Sequence, residues 1–168
     1  MSTPVLLLFF CQALGASIGA FSAVWSEIAY LRAARHGGVD AAERAHLRVI
    51  ARGLRFGMFI FLLASLGLVV VAYRLQAAPQ PALSAGYWTS ITLALIVIGA
   101  SWALSRRRIA FALGSAIVFT AWWFLAYFVL GWLPSFSFGA IAAFFVITTA
   151  IFYTLLQYGH FLATRTRP

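Results

Sequence analysis

The chain has 168 residues, of which 64% are hydrophobic and only 9% are charged. A soluble domain of this length needs more polar surface than these residues can supply, so we predict one integral-membrane domain over residues 1–168. The net charge is +9, and every basic residue is arginine, which excludes a Schiff-base lysine. The arginines flank apolar segments and form no basic soluble domain, so we expect no nucleic-acid partner.

Five apolar segments are long enough to cross a bilayer, which takes about 20 mostly apolar residues in a helix. They run over residues 4–31, 54–73, 84–104, 109–132 and 136–162. The predicted fold is therefore all-α, a polytopic membrane helix bundle with five transmembrane helices. Of the connections, we expect an extended loop at Ala77–Pro81, a short turn at Ser105–Arg108 and the end of helix four at Gly131–Pro134.

The first two helices are predicted to form a hairpin. Residues 36–40, His-Gly-Gly-Val-Asp, interrupt the first helix, and Asp40 with Glu43 fits a capping box that starts the second near Ala41. A helix from Ala41 to Tyr73 would be near 50 Å long at about 1.5 Å per residue, which exceeds the hydrocarbon core. We therefore expect an antiparallel hairpin that protrudes from the membrane on the cytoplasmic side.

The arginines also predict the orientation of the chain. Eleven of the twelve lie around the first connection, in the third connection and in the tail, and Arg74 alone lies on the other side. The positive-inside rule then places the N-terminus outside and the C-terminus in the cytoplasm. The expected location is the inner (plasma) membrane of the cell, with several passes.

Small residues recur at helical spacing in the first helix, including Gly15 with Gly19 and Ala16 with Ala20. Such patterns let two helix backbones approach closely in a membrane. We expect this face to pack against the second or the fifth helix of the same chain. The alternative is a contact between copies in a homo-oligomer.

An arginine stripe opens the second helix, formed by Arg44, Arg48, Arg52 and Arg55. Their spacing of four, four and three residues puts them on one helical face, away from Leu47, Ile50 and Leu54. One interpretation is charge that sets the topology and touches headgroups. The sharper hypothesis is a site for an anionic lipid or another phosphate-bearing ligand, and membrane lipids are then the expected partners.

Glu27 is the acidic residue that falls inside a predicted span, near its cytoplasmic end. The hairpin turn sets it opposite residue 50, so we predict an ion pair with Arg52 or Arg48. Because an ionisable group at membrane depth is often functional, Glu27 is also a candidate ligand-binding residue. Trp122 and Trp123, near the centre of the fourth helix, are candidates for contact with a lipid or a small apolar ligand, although core packing is the commoner role.

Motifs for catalysis or cofactors are not found. His36, His46 and His160 form no HxxxH or HExxH pattern and no facing pair at depth, so we predict neither a metal nor a haem. His46 and His160 are both expected at the cytoplasmic side, where they could approach each other. There is no GxSxG, and we expect no Ser/His/Asp set at one depth.

The leading interpretation is a non-catalytic small membrane protein, either a channel or transporter unit or a subunit of a membrane complex. The first alternative is a lipid-binding or lipid-handling enzyme that uses the arginine face and Glu27. The second is a haem or quinone electron-transfer subunit, which the histidine positions disfavour. The sequence names no substrate.

Overall fold

The computed structural model describes residues 3–37, 39–76, 80–132 and 137–165, and these fold into helices with no strand. The α-helices are α1 (Thr3–Gly37), α2 (Val39–Gly53), α3 (Phe59–Arg74), α4 (Ala85–Ser105), α5 (Phe111–Val129) and α6 (Phe138–Arg165). A π-helical turn, Leu54–Met58, joins α2 to α3 without a break. A short 3-10 turn, Pro81–Leu83, precedes α4.

Among the described residues, five helices are long and apolar enough to cross a membrane, which agrees with the predicted number of apolar segments. They cover Thr3–Ala34, Asp40–Arg74, Ala85–Ser105, Phe111–Val129 and Phe138–Leu162. The second is one continuous helix of 35 residues, as its long pattern predicted. Their length and composition make the chain compatible with a multi-pass membrane protein.

The boundaries differ from the predictions by a few residues. Helix α2 begins at Val39, so Asp40 lies in its first turn and not at the N-cap. At this position its carboxylate still interacts favourably with the positive end of the helix dipole. In the predicted loop after α3, residues 77–79 lie outside the described part, and Pro81 opens the 3-10 turn. Helix α5 ends at Val129, and residues 133–136 also lie outside the described part.

Helix α1 is the centre of the bundle and packs against α2, α3 and α5. It runs antiparallel to the long second helix, because Gly15 meets Gly57, Ser22 meets Gly53 and Glu27 meets His46. The end of the bundle where α1 connects to α2 is called here the hairpin end. A Cβ added at Gly15 would lie 2.7 Å from the Gly57 carbonyl oxygen, so the two backbones touch.

The small-residue face of α1 therefore packs within the chain, as predicted. Gly15 faces the second span, and Gly19 lies against the Trp122 ring of α5. The second span is one of the two partners that were predicted, and the fourth span, α5, is a further partner that was not. Close backbone contact lets these helices pack without large side chains between them, which is the usual solution in lipid.

Helix α6 is the peripheral element. Over an apolar 18-residue stretch of its span only 6% of the residues are buried, against 56% over the corresponding stretch of α5. Aromatic rings attach it to α5, where Phe119 contacts Phe152 and Phe124 contacts Phe144 and Phe145. Most of its surface is therefore left to lipid or to a partner.

Candidate functional site

Four polar side chains from four helices meet near the hairpin end. Glu27 comes from α1, His46 from α2, Ser115 from α5 and His160 from α6, and we call them the acid–imidazole cluster. All four are buried; His46 and Ser115 are each only 1% exposed. The antiparallel register of α1 and α2 sets Glu27 opposite His46, and Ser115 lies one turn into α5.

The Glu27 carboxylate is the hub of the acid–imidazole cluster. Its Oε2 lies 3.0 Å from Nε2 of His160, at hydrogen-bond distance, and its Oε1 accepts a hydrogen bond from the Ser115 hydroxyl. Nδ1 of His46 lies 3.5 Å from Oε1, close enough for an ion pair but outside hydrogen-bond geometry. Both ring nitrogens of His46 are buried and make no hydrogen bond of ordinary geometry, although the Ser26 backbone lies close to the ring. A buried imidazole in that state is rare and indicates a site for a proton or a water.

Two aromatic rings enclose the imidazoles. The Tyr30 ring stacks on His160 with a centroid distance of 4.0 Å, and Phe111 lies edge-on to His46 at 5.0 Å. Tyr30 and Phe111 also stack on each other at 5.2 Å. These rings exclude bulk water from three ionisable groups, which strengthens every electrostatic interaction among them.

The predicted ion pair of Glu27 with Arg52 or Arg48 is wrong. The ionisable groups within 4 Å of the Glu27 carboxylate are the imidazoles of His46 and His160. The reason is rotation about the axis of α2. The stripe residues Arg44, Arg48, Arg52 and Arg55 are all exposed, and the face turned toward α1 is the opposite one.

No Ser/His/Asp set was expected at one depth, but the structure brings Ser115 and both histidines together with a glutamate, Glu27. Their connectivity is not that of a hydrolase, in which the imidazole bridges the serine and the acid. Here the serine hydroxyl is bonded to the carboxylate itself. Within the described ranges, no group of three or more His, Cys, Asp or Glu residues is arranged to hold a metal ion.

The other predicted site residues lie apart from the cluster. Trp122 is buried against Gly19 in the core, whereas Trp123 contacts Phe21 and has a buried Nε1 without a hydrogen-bond partner. Arg44 lines a pocket of about 200 Å³ with Arg107, Glu43 and the cluster's neighbour Phe111. Arg52 lines a different groove, against α1.

Other buried polar groups lie outside the acid–imidazole cluster. The hydroxyls of Ser101 on α4 and Thr120 on α5 are buried without a hydrogen-bond partner. In the far half, the Gln12 side chain donates a hydrogen bond of 2.9 Å to Ser65. Gln12 and Ser90 line a cavity of about 310 Å³ at that end. Polar groups thus occur at several levels of an otherwise apolar interior.

Sequence reasoning did not include His46, His160 or Ser115 among the site residues, although one signal for His46 was present. At 100° per residue, His46 lies about 200° from Arg44, so a stripe that faces outward turns His46 inward. Ser115 gave no such signal, because one serine in an apolar helix is ordinarily bonded to its own backbone.

Comparison with protein-family models, with curated proteins and with solved structures finds no match to this chain.

Proposed function

We propose that this chain is a non-catalytic transport unit of the membrane, coupled to protons, and that the acid–imidazole cluster binds the transferred proton. The observation that carries the proposal is the contact of one buried carboxylate with two buried imidazoles from two other helices. Carboxylate and imidazole groups at membrane depth form the proton relays of pumps and transporters. Imidazole changes its charge near physiological pH, so it suits this exchange.

The unsatisfied imidazole of His46 supports this role. A structural ion pair gains stability when each polar atom finds a partner, and an unpaired buried nitrogen costs about 1–3 kcal/mol. His46 has two such nitrogens, beside a carboxylate 3.5 Å away. An incoming proton on that ring would pair with Glu27, and this gain gives the cluster a second protonation state.

Polar groups and cavities on either side of the cluster are compatible with transport in preference to storage. The pocket that contains Arg44 and Arg107 at the hairpin end shares the Phe111 ring with the acid–imidazole cluster. Along α1, Glu27 and Gln12 are separated by about 22 Å at 1.5 Å per residue. The buried hydroxyls of Ser101 and Thr120 belong to helices that cross this interval. Water entering at these unpartnered groups would connect the cluster with the far cavity.

Proton movement is the test. The purified protein is reconstituted in liposomes with a trapped pH dye, and a potassium gradient with valinomycin drives protons inward. We expect the wild type to acidify the interior at least tenfold faster than Glu27→Gln. Asp40→Asn is the matched control, because it also removes one carboxylate but lies exposed at the start of α2. It should retain the wild-type rate.

His160→Gln is the second variant, in case Glu27→Gln does not fold. It should also slow the flux, because Gln keeps a hydrogen bond to Glu27 but cannot carry the proton. Equal flux in wild type, Glu27→Gln and empty liposomes would contradict the proposal.

The peripheral position of α6 favours a second candidate, a subunit of a membrane complex. With 6% of the residues buried over an apolar 18-residue stretch, α6 leaves a broad apolar face for a partner helix. Cross-linking from a cysteine placed at exposed Ile151, in the native membrane, would test it.

The haem or quinone alternative is less well supported, because Nε2 of His160 is directed at Glu27 and Tyr30 covers the ring.

A further inference from the structure

A long groove runs along the outside of the bundle between α1 and α2. It has a volume of about 620 Å³ and is lined by apolar side chains that include Leu14, Phe21, Trp25 and Val49, with Arg52 at one end. Leu14, Phe21 and Trp25 are exposed, at 43%, 69% and 53%. The groove therefore combines an open apolar wall with one charged end.

The length of the groove matches one leaflet of a bilayer. Leu14 and Trp25 are eleven residues apart on α1, which corresponds to about 16 Å at 1.5 Å per residue. Half of a hydrocarbon core of about 30 Å is nearly the same distance. One acyl chain could therefore lie along the groove, with its headgroup at the hairpin end.

The charges at that end are positive. The Arg32 guanidinium lies 5.5 Å from the centre of the Trp25 ring, and Trp25 lines the groove. Side chains of a helix lean toward its N-terminus, so Arg52 leans toward the hairpin end and Arg32 leans away from it. Both guanidiniums are thereby brought toward the level of Trp25. The groove lining contains no acidic residue to neutralise them.

We infer that this groove binds one anionic phospholipid, with its phosphate between Arg52 and Arg32 and an acyl chain along Trp25, Phe21 and Leu14. The charge at one end, the apolar wall and the one-leaflet length together favour a lipid over a soluble anion. The inference is independent of proton transport, because none of the groove residues belongs to the acid–imidazole cluster. It also assigns a specific role to Arg52, because the other three arginines of the stripe do not line the groove.

Native mass spectrometry tests the lipid site. The full chain is exchanged into nanodiscs of phosphatidylglycerol and phosphatidylcholine in equal amounts, then released and its bound lipids counted. We expect the wild type to retain phosphatidylglycerol selectively. Arg52→Gln should lower this retention about fivefold, the factor that corresponds to one arginine at an anionic surface.

Arg55→Gln is the matched control, since Arg55 is exposed on the same stripe but does not line the groove. It should retain phosphatidylglycerol as the wild type does. Ile18→Trp, which fills the groove, should lower the retention of either lipid. Equal losses in Arg52→Gln and Arg55→Gln, or equal retention of the two lipids by the wild type, would overturn the inference.

Discussion

At the scale of single residues, the stability of the acid–imidazole cluster depends on Glu27. A buried carboxylate without a partner is strongly unfavourable in a medium of low polarity. The Glu27 carboxylate accepts a hydrogen bond from the Ser115 hydroxyl and lies at hydrogen-bond distance from the His160 imidazole. Nδ1 of His46 lies 3.5 Å from its Oε1. Loss of Glu27 removes the hydrogen-bond partner of His160 and the nearby carboxylate of His46, so the cluster should act as one energetic unit.

A double-mutant cycle measures this coupling. Glu27→Gln and His160→Gln should each destabilise the protein, and their free energies of unfolding should deviate from additivity by about 0.5–3 kcal/mol. The measurement is unfolding by sodium dodecyl sulfate in detergent micelles. The control cycle pairs Glu27→Gln with Arg52→Gln, which should be additive within about 0.5 kcal/mol because the two side chains have no shared partner. The reverse outcome, with coupling to Arg52 alone, would contradict the contacts of Glu27 described above.

The importance of Glu27 could be predicted from the sequence, but its partners could not. An acidic residue inside an apolar span is conspicuous, and the hairpin register places it near residue 50 by counting. The choice between arginine and histidine depends on the rotation of α2 about its axis, which the outward-facing arginine stripe indicates but which the prediction of an arginine partner did not use. His160 is 133 residues away in sequence, so only the packing of α6 brings it to Glu27.

At the scale of helices, the crossing of α1 and the second span determines the geometry of the bundle. The π-helical turn Leu54–Met58 contains Gly57, and the paired glycines Gly15 and Gly57 allow backbone contact there. A π-helical turn adds a residue to the helix and so rotates the side chains on either side of it. Because of this rotation, His46 before the turn and Phe61 after it are both buried in the bundle.

Gly57→Ala should destabilise the protein by about 1–3 kcal/mol, the range for overpacking a tight contact. The added Cβ would lie 2.8 Å from the Gly15 carbonyl oxygen and 3.0 Å from the Gly19 nitrogen, and backbone atoms cannot move aside cheaply. Gly99→Ala is the control, because no atom lies within 4 Å of its added Cβ. It should be neutral or slightly stabilising through helix propensity. Equal thermal unfolding midpoints for the two variants would show that the crossing is not tight.

The number of spans was predictable because lipid imposes it. Every backbone group inside a bilayer must be satisfied by its own helix, so an apolar run of about 20 residues gives a span. The ends were less predictable, because outside the apolar core capping and packing decide them. Helix α2 shows this, since it starts at Val39, two residues before the predicted Ala41. The π-helical turn has no sequence signal beyond its glycines.

At the scale of the whole molecule, the distribution of charge predicts an orientation. If the five apolar helices all cross the membrane, the predicted connections and the tail divide the twelve arginines eleven to one between its two sides. Arg32, the stripe of α2 and Arg106–Arg108 are expected on the side of the hairpin end, together with the tail. Translocation of arginine across the membrane is unfavourable, so this side should remain in the cytoplasm.

Reporter fusions test this orientation. A green fluorescent protein fused after Pro168 should fluoresce, because it folds in the cytoplasm, and alkaline phosphatase at that position should be inactive. The same two reporters placed in the connection between α3 and α4, near Gln80, should give the opposite pattern. The physical reason is the single arginine, Arg74, at that end. Active phosphatase after Pro168 would reverse the predicted orientation. The acid–imidazole cluster and its arginine-lined pocket would then lie on the outer side of the membrane. The proposed proton would then enter the cluster from outside the cell, and the lipid groove would lie in the outer leaflet.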